Sequence, residues 1–140
     1  MPDDKRTSPI LSQTDLQPGL LKDKIAVVTG AGGGIGYEAA ASLLWLGATV
    51  IIAEIDRKSG KKAVKTLQQD FPEERIAFYS VDVSSPISVK KFSNRCKKRY
   101  QHIDILIHNA TIAPLGLVKD TPIKIWDASY GVNLRGPVML

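Results

Sequence analysis

The feature that most constrains this chain is a cluster of five glycines within the seven positions 30–36. The apolar stretch Ile25-Ala26-Val27-Val28 leads into the cluster, and good helix formers follow it from Tyr37 to Leu44. This order predicts a buried strand, a tight turn and a helix. Glycine lets the backbone approach a ligand closely, and N–H groups at a helix start suit a phosphate. The stretch therefore predicts a pyrophosphate-binding turn, although a glycine cluster alone also fits a flexible turn.

The spacing of these glycines is not the common G-x-G-x-x-G dinucleotide fingerprint. It is Thr-Gly-x-x-x-Gly-x-Gly, which is formed by Thr29, Gly30, Gly34 and Gly36. Because this spacing differs from the common fingerprint, its interpretation depends on the residues that follow further along the chain.

Apolar strands alternate with helical segments along the chain. Strands are predicted at about 24–29, 48–53, 76–81 and 103–107. Helices are predicted at about 34–46 (closed by Gly47), at about 57–70, after a cap at Ser84 or Ser85, and from Thr121-Pro122 onward. The alternation predicts an α/β fold, a Rossmann-like doubly wound parallel sheet with strand order 3-2-1-4.

The predicted domain covers residues 22–140 and is an incomplete dinucleotide-binding domain, truncated before a fifth strand. Residues 1–21 are rich in Pro, Ser, Asp and Gln and are predicted to form a flexible tail. Apolar stripes mark the helix faces. The stripes contain Ile35, Ala39, Leu43 and Leu46 on the first helix, Cys96 with Val89, Phe92 and Tyr100 on the third, and Ile123, Trp126, Tyr130 and Leu134 on the last.

Polar residues stand where the strands end, and ligands bind at the carboxyl ends of parallel strands in such sheets. Glu54 follows Gly36 by 18 residues and ends the second strand. A carboxylate there can accept hydrogen bonds from an adenosine ribose and would repel a 2′-phosphate, which favours NAD over NADP. Arg57 and Lys58 argue the other way, since a basic residue just past this strand can hold that phosphate.

The other strand-end residues have structural as well as functional interpretations. Asp56 is predicted to cap the second helix. Asp82 either accepts a hydrogen bond from an adenine amino group or closes a turn. Asn109 is a candidate for holding neighbouring backbone at the sheet edge, and His108 is predicted to be packed and hydrogen-bonded rather than catalytic.

The composition limits the classes of partner. The net charge of +5 raises nucleic-acid binding as a possibility, but the basic residues fall on two predicted helices without interleaved aromatic residues. They are predicted to be solvated helix faces, and no nucleic acid is expected as a partner. The single Cys96 cannot form an internal disulfide and is predicted to be a small core residue. No apolar run has membrane length and the start lacks signal-peptide character, so a cytoplasmic protein without a membrane partner or a metal site is predicted.

These motifs, in this order, resemble the short-chain dehydrogenase/reductase family over about residues 22–140. The segment from Thr29 to Gly36 resembles the cofactor loop of that family, Glu54 its ribose-binding acid, and Asp82-Val83 its adenine-contact pair. His108-Asn109-Ala110-Thr111 is similar to its Asn-Asn-Ala-Gly element. Asn133-Leu134-x-Gly136 resembles the segment that carries its catalytic asparagine.

The resemblance implies an NAD(P)-dependent oxidoreductase that transfers a hydride between the nicotinamide cofactor and a small alcohol or ketone. It implies that Asn133 is catalytic. It also implies that the full-length form is a homo-oligomer. The residues implied to hold the cofactor are Thr29, Gly30, Gly34, Ile35, Gly36, Glu54, Asp82, Val83, Asn109 and Ala110.

The chain departs from the family pattern in two ways. His108 and Thr111 replace an asparagine and a glycine, and Thr111 adds a side chain where backbone is expected close to the cofactor. The sequence also contains no Tyr-x-x-x-Lys, the acid/base pair of the family, and lacks the strand that carries its serine. A tyrosine with a pKa near 10 is a poor acid/base at neutral pH without a neighbouring cation.

The 140-residue chain alone is therefore predicted to be inactive. It is also predicted to be marginally stable or to aggregate through the unpaired edge of the fourth strand. Two alternatives remain beside the oxidoreductase. One is a non-catalytic nucleotide-binding or interaction protein, and the other is a basic nucleic-acid binder on the same fold.

Overall fold

The computed structural model describes residues 15–140, in which strands and helices alternate. The strands are β1 (Ile25–Thr29), β2 (Thr49–Glu54), β3 (Ile76–Ser80) and β4 (Ile105–Ile107). The helices are α1 (Gly34–Trp45), α2 (Arg57–Leu67), α3 (Pro86–Tyr100), α4 (Ile123–Tyr130) and α5 (Gly136–Met139). A π-helical turn, Gly131–Arg135, joins α4 to α5, and short 3₁₀ turns lie at Glu73–Arg75 and Val118–Asp120.

The four strands form one parallel sheet in the order β3-β2-β1-β4, which confirms the predicted fold class and strand order. Val27 in β1 pairs with Ile51 in β2 on one side and with Leu106 in β4 on the other. The order reverses between β1 and β4, because the chain returns past β1 after β3. Ligands bind at such a switch point, next to the carboxyl ends of the strands.

Both faces of β1 and β2 are covered. Alternate residues of β1 and β2 point to opposite faces, so Val28 and Ile52 join a cluster with Leu44 and Leu67 from α1 and α2. Val27 and Ile51 join a second cluster with Phe92 and Cys96 from α3. Cys96 is a buried core residue, as predicted, and this burial raises the pKa of its thiol to about 11.

Capping residues begin or end several helices at the positions that the sequence predicts. Asp56 caps α2 by accepting hydrogen bonds from Lys58 N at 2.8 Å and from Ser59 Oγ at 2.7 Å. Ser85 caps α3, and Pro86 occupies its first turn. Gly47 ends α1 with a φ of +100°, a left-handed conformation that favours glycine. The predicted roles of Asp56, Ser85 and Gly47 are confirmed.

Most predicted boundaries lie within one residue of the structure, and two differ by more. The second helix ends at Leu67 rather than 70, because Asp70 N and Phe71 N both donate to Leu67 O and close the chain into a turn. The fourth strand begins at Ile105 rather than 103. Before it, Asp104 N donates to Ile25 O at 2.9 Å, and Asp104 Oδ2 accepts the N–H of Ile25 at 2.9 Å in place of a backbone carbonyl.

The sequence predicts the last helical segment as one helix with an apolar stripe on one face, and the structure corrects its continuity. A π-helical turn interrupts the segment, and the stripe is exposed: Ile123 is 75% exposed, Tyr130 60% and Leu134 57%. Ile35 of the first stripe is also exposed, at 82%. Helical spacing places these residues on one face, but no element among residues 15–140 covers them.

Of the predicted tail, residues 1–21, the first 14 lie outside the described residues. Its last part forms turns against the end of α1, where Leu21 N donates to Leu46 O at 2.8 Å. Within residues 15–140, no helix is both long enough and apolar enough to cross a membrane.

Candidate functional site

Thr29, the last residue of β1, joins this strand to the exit of β4. Its side chain is fully buried, and its Oγ1 accepts hydrogen bonds from the N–H groups of Asn109 and Ala110, both at 3.1 Å. His108 Nδ1 lies 3.3 Å from the same oxygen. Thr29 therefore fixes where the chain leaves β4 relative to the glycine turn.

Asn109 completes this connection from the other side. Its Nδ2 donates to Gly30 O at 3.1 Å, so the side chain holds neighbouring backbone, as the sequence suggested. The fit leaves no room for a side chain at two of the glycines. A Cβ on Gly36 would lie 2.5 Å from both Asn109 Nδ2 and Gly30 O, and a Cβ on Gly30 would lie 2.8 Å from Ala110 Cα. These two glycines are required by packing within the protein.

Gly33 and Gly34 face open space instead. A Cβ on either would meet no atom within 4 Å, and Gly34 has a left-handed φ of +55°. Gly33 occupies the N-cap position of α1 without a side-chain cap. The glycine turn therefore has a packed side, formed by Gly30 and Gly36, and an open side, where Gly33, Gly34 and Ile35 are exposed.

Glu54 ends β2 and faces the glycine turn. Its Oε2 accepts the N–H of Gly32 at 3.1 Å, and its Oε1 accepts the N–H of Asp56 at 3.0 Å. A Cβ on Gly32 would lie 2.9 Å from Glu54 Oε2 and 2.9 Å from Ser59 Cβ, so Glu54 and Ser59 together leave no room for a side chain at Gly32. Sequence reasoning placed Glu54 at the strand end but missed its bond to Gly32.

Asp82 closes the turn after β3. Its Oδ1 accepts hydrogen bonds from Ser84 N at 2.9 Å and from Ser84 Oγ at 2.6 Å. Its own N–H donates to Ser88 Oγ at 3.0 Å, which ties the turn to the first turn of α3. The structure gives Asp82 the turn role, and the neighbouring Val83 is buried.

Asn133 lies in the π-helical turn and holds the segment that follows β4. Its Oδ1 accepts the N–H of Ile112 at 2.8 Å, and its Nδ2 donates to Ile112 O at 2.8 Å. Thr111 Oγ1 donates to the same Oδ1 at 3.1 Å, so the extra side chain at this position contacts Asn133. Arg135 Nη2 donates to Ser84 O at 2.9 Å, which anchors the turn beside β3.

A cleft of about 310 Å³ lies among these strand ends. It brings together Gly30, Glu54, Asp82, Val83, Asn109 and Ala110 from the predicted set. Thr29, Gly34, Ile35, Gly36 and Asn133 do not line it. Thr29 and Gly36 support its wall from behind, and Asn133 holds Ile112, which does line it. Thr111, whose side chain the sequence analysis expects close to the cofactor, lines the cleft. The lining residues that sequence reasoning missed are each close in sequence to a predicted residue: Ala53, Ile55, Val81, Ile112 and Val132.

Among residues 15–140, the groups with a clearly shifted pKa do not line this cleft. Burial raises the pKa of Tyr100, which lies in α3 and is not a lining residue. Asp56 has a lowered pKa, because it accepts hydrogen bonds from the Ser59 hydroxyl and the Lys58 N–H. Both shifts follow from packing or helix capping rather than from chemistry in the cleft.

Comparison with known proteins agrees with this geometry. The model of the short chain dehydrogenase family matches residues 24–140. The meso-2,3-butanediol dehydrogenase of Serratia marcescens is 34% identical over 116 residues, which are 83% of this chain and 45% of that protein. The NAD-dependent glycerol dehydrogenase of Listeria innocua is 33% identical over 120 residues, 86% of this chain and 45% of that protein.

A solved structure gives the same result. The crystal structure of a short chain dehydrogenase from Mycobacterium smegmatis superposes with a TM-score of 0.79 at 28% identity. The match covers 86% of this chain and 50% of that one. This chain therefore spans about half the length of the relatives that it matches.

Proposed function

The chain belongs to the short-chain dehydrogenase family, and from that premise we propose that its cleft binds a nicotinamide dinucleotide. We propose that the whole protein interconverts an alcohol and a ketone. The observation that carries the proposal is the convergence of the open glycine turn, Glu54, Asp82-Val83 and Asn109-Ala110 on one edge of the sheet. Ligands bind at this position in doubly wound sheets.

The pyrophosphate is proposed to lie on the open side of the glycine turn. Gly33 and Gly34 leave space for it, and the N–H groups at the start of α1 have no side-chain cap to satisfy them. A helix start carries a partial positive charge, which favours the phosphate further. Gly30 and Gly36 support this site from the packed side, where Asn109 holds the turn.

The adenosine half is proposed to lie along Glu54, Asp82 and Val83. Glu54 is the proposed partner of the ribose hydroxyls, and its negative charge disfavours a 2′-phosphate. The apolar side chains of Ile55 and Val83 offer surface for the adenine ring. NAD is therefore the proposed cofactor. Arg57 and Lys58 are exposed at the start of α2 and are the residues that would favour NADP.

The bound nicotinamide supplies or accepts the hydride. Asn133 is the residue of this chain that we propose to be catalytic, and its side chain fixes the segment Thr111-Ile112 at the cleft. The 140 residues contain no Tyr-x-x-x-Lys. Since a proton donor of matched pKa is needed for this chemistry, we propose that this chain by itself binds the dinucleotide without turnover.

A second candidate function follows from the same observation. A protein that binds a nucleotide without catalysis, or acts through interactions, needs the cleft but not the acid/base pair. The two candidates agree on binding and differ on turnover.

We further propose a cytoplasmic location, which the single buried Cys96 favours, and a homo-oligomeric whole protein.

Calorimetric titration of the 140-residue chain with NAD, NADP and ATP tests the proposal. We expect NAD to bind more tightly than NADP, and both to bind more tightly than ATP, which lacks the nicotinamide half. Absence of binding by either dinucleotide would refute the proposed site. An assay of nicotinamide reduction with a panel of small alcohols tests turnover, and any steady-state rate from this chain alone would refute the proposed inactivity.

A further inference from the structure

The Thr29 hydroxyl has three nitrogen neighbours, and this number constrains the protons around it. Two of the neighbours are the backbone N–H groups of Asn109 and Ala110, each at 3.1 Å, and they can only donate. The third is His108 Nδ1 at 3.3 Å. A hydroxyl oxygen offers two lone pairs and one proton. Since the two N–H groups take both lone pairs, the contact with His108 uses the Thr29 proton.

This assignment fixes the protonation of His108. Its Nδ1 must accept a hydrogen bond, so it carries no proton, and the neutral ring carries its proton on Nε2. A proton on Nδ1, in the other tautomer or in the imidazolium, would face an oxygen with no free lone pair. Nε2 is buried and has no hydrogen-bond partner among residues 15–140, so it is unpaired in both tautomers, as an N–H donor in one and as a lone-pair acceptor in the other. The choice between the tautomers therefore rests on the contact at Nδ1. Thr29 alone selects it.

The contact extends from His108 to the glycine turn. The Thr29 hydroxyl orients Asn109 and Ala110 through their N–H groups, and Asn109 Nδ2 then holds Gly30 O at 3.1 Å. If the Thr29 proton lost its acceptor, the hydroxyl would rotate to seek another, and its lone pairs would leave one of the two N–H groups. An unpaired N–H in a buried position is costly.

We propose that His108 is a positioning residue that accepts the Thr29 hydroxyl proton as the neutral Nε2–H tautomer and so sets the glycine turn for the dinucleotide. The link to the dinucleotide rests on the proposed function, while the tautomer and the Thr29 bonds do not. The residue contacts no reacting atom in this account. It acts through Thr29 and Asn109.

The tautomer is measured directly by long-range ¹H–¹⁵N correlation spectra of the uniformly labelled chain at pH 7.5. We expect an unprotonated Nδ1 and a protonated Nε2 for His108. The His108→Asn spectrum assigns the signals, and His102, whose side chain is 65% exposed, is the internal control. A proton on Nδ1 of His108, in either the neutral or the charged ring, would overturn the proposal.

A matched pair of variants tests the positioning role. His108→Asn places an oxygen acceptor at the δ1 position, whereas His108→Leu places a methyl group there. We expect His108→Asn to keep amide exchange at Asn109 and Ala110 and the NAD dissociation constant within about two-fold of the parent. We expect His108→Leu to speed exchange at these amides and to weaken NAD binding, each by about five-fold, the effect of one hydrogen bond.

The outcomes separate this inference from the proposed function. Equal behaviour of the two variants in amide exchange would overturn the positioning role, whatever binds in the cleft. If the parent binds no dinucleotide but shows the expected tautomer and exchange, the proposed function fails and the Thr29–His108 assignment stands. Should His108→Leu fail to fold, the tautomer measured on the parent chain still decides the assignment.

Discussion

Glu54 Oε2 accepts a hydrogen bond from Gly32 N at 3.1 Å, so the end of β2 braces the glycine turn that follows β1. The same carboxylate is the proposed partner of the cofactor ribose. A substitution at Glu54 therefore has two expected effects. A change in the glycine turn would alter the affinities for NAD and NADP alike, whereas a change in charge would alter them differently. The ratio of the NAD affinity to the NADP affinity therefore isolates the effect of the charge.

Glu54→Gln is expected to lower the preference for NAD over NADP by about ten-fold. The amide keeps an oxygen that can accept from Gly32, but it removes the negative charge that repels a 2′-phosphate. Calorimetric titration of both dinucleotides against the variant gives the ratio. Glu74→Gln, a neutralised glutamate outside the cleft, is the matched control and should leave the ratio unchanged. An unchanged ratio in Glu54→Gln would contradict the role given to this residue.

Gly33→Asp is expected to abolish dinucleotide binding without lowering the melting temperature. Gly33 has extended backbone at the N-cap of α1 and open space around its Cβ position, so the fold accepts a side chain there. Aspartate is a preferred N-cap residue and should stabilise α1. Its fixed negative charge would compete for the N–H groups that the pyrophosphate is proposed to use. Gln69→Asp adds the same charge at an exposed position just after α2, and as the control it should leave dinucleotide binding unchanged. Binding of NAD with parental affinity by Gly33→Asp would place the phosphate elsewhere.

Gly36→Ala is expected to destabilise the fold by about 2–3 kcal/mol, because a Cβ there lies 2.5 Å from both Asn109 Nδ2 and Gly30 O. One neighbour is backbone and cannot move aside without opening the turn. Gly33→Ala is the matched control, since its Cβ meets nothing within 4 Å, and it should change stability by less than about 0.5 kcal/mol. Chemical denaturation of both variants measures the difference. Similar stabilities would show that the turn does not pack as described.

Asp104→Asn is expected to lower the melting temperature at pH 7 and to have less effect in acid. Asp104 accepts the N–H of Ile25 and pairs with Lys24, and these contacts lower its pKa below the ordinary value of 3.8. A carboxylate with a lowered pKa in the folded state stabilises the fold above its unfolded pKa. This stabilisation is lost as the pH falls through the folded pKa. Thermal melts between pH 7 and pH 2 should converge for parent and variant. Asp127→Asn, exposed on α4, is the control, and a constant gap at every pH would exclude the charge as the cause.

Much of the fold follows from local sequence. Apolar runs such as residues 25–29 and 49–54 identify the strands, because four consecutive buried residues in each leave few alternatives. Asp56 and Ser85 fix helix starts by contacts within three residues of themselves. The strand order then follows from the handedness of the crossovers rather than from any one residue.

The rest depends on contacts between distant segments. The bonds of Glu54 to Gly32 and of Asn133 to Ile112 join residues about 20 positions apart, and no local pattern encodes them. The π-helical turn at Gly131–Arg135 shifts the helix hydrogen bonds by one residue and leaves the apolar spacing almost unchanged. Helical spacing likewise shows that Ile123 and Tyr130 share a face, but not whether that face is covered.

The most direct test of the account is a ¹H–¹⁵N correlation map of the 140-residue chain titrated with NAD. We predict the largest shifts at the amides of residues 30–36, followed by Glu54-Ile55, Asp82-Val83 and Asn109-Ala110, with small changes on the basic outer faces of α2 and α3. Saturable shifts confined to those basic faces or to the open edge of β4, with the glycine turn unaffected, would contradict the central claim that the carboxyl ends of these strands form a dinucleotide site.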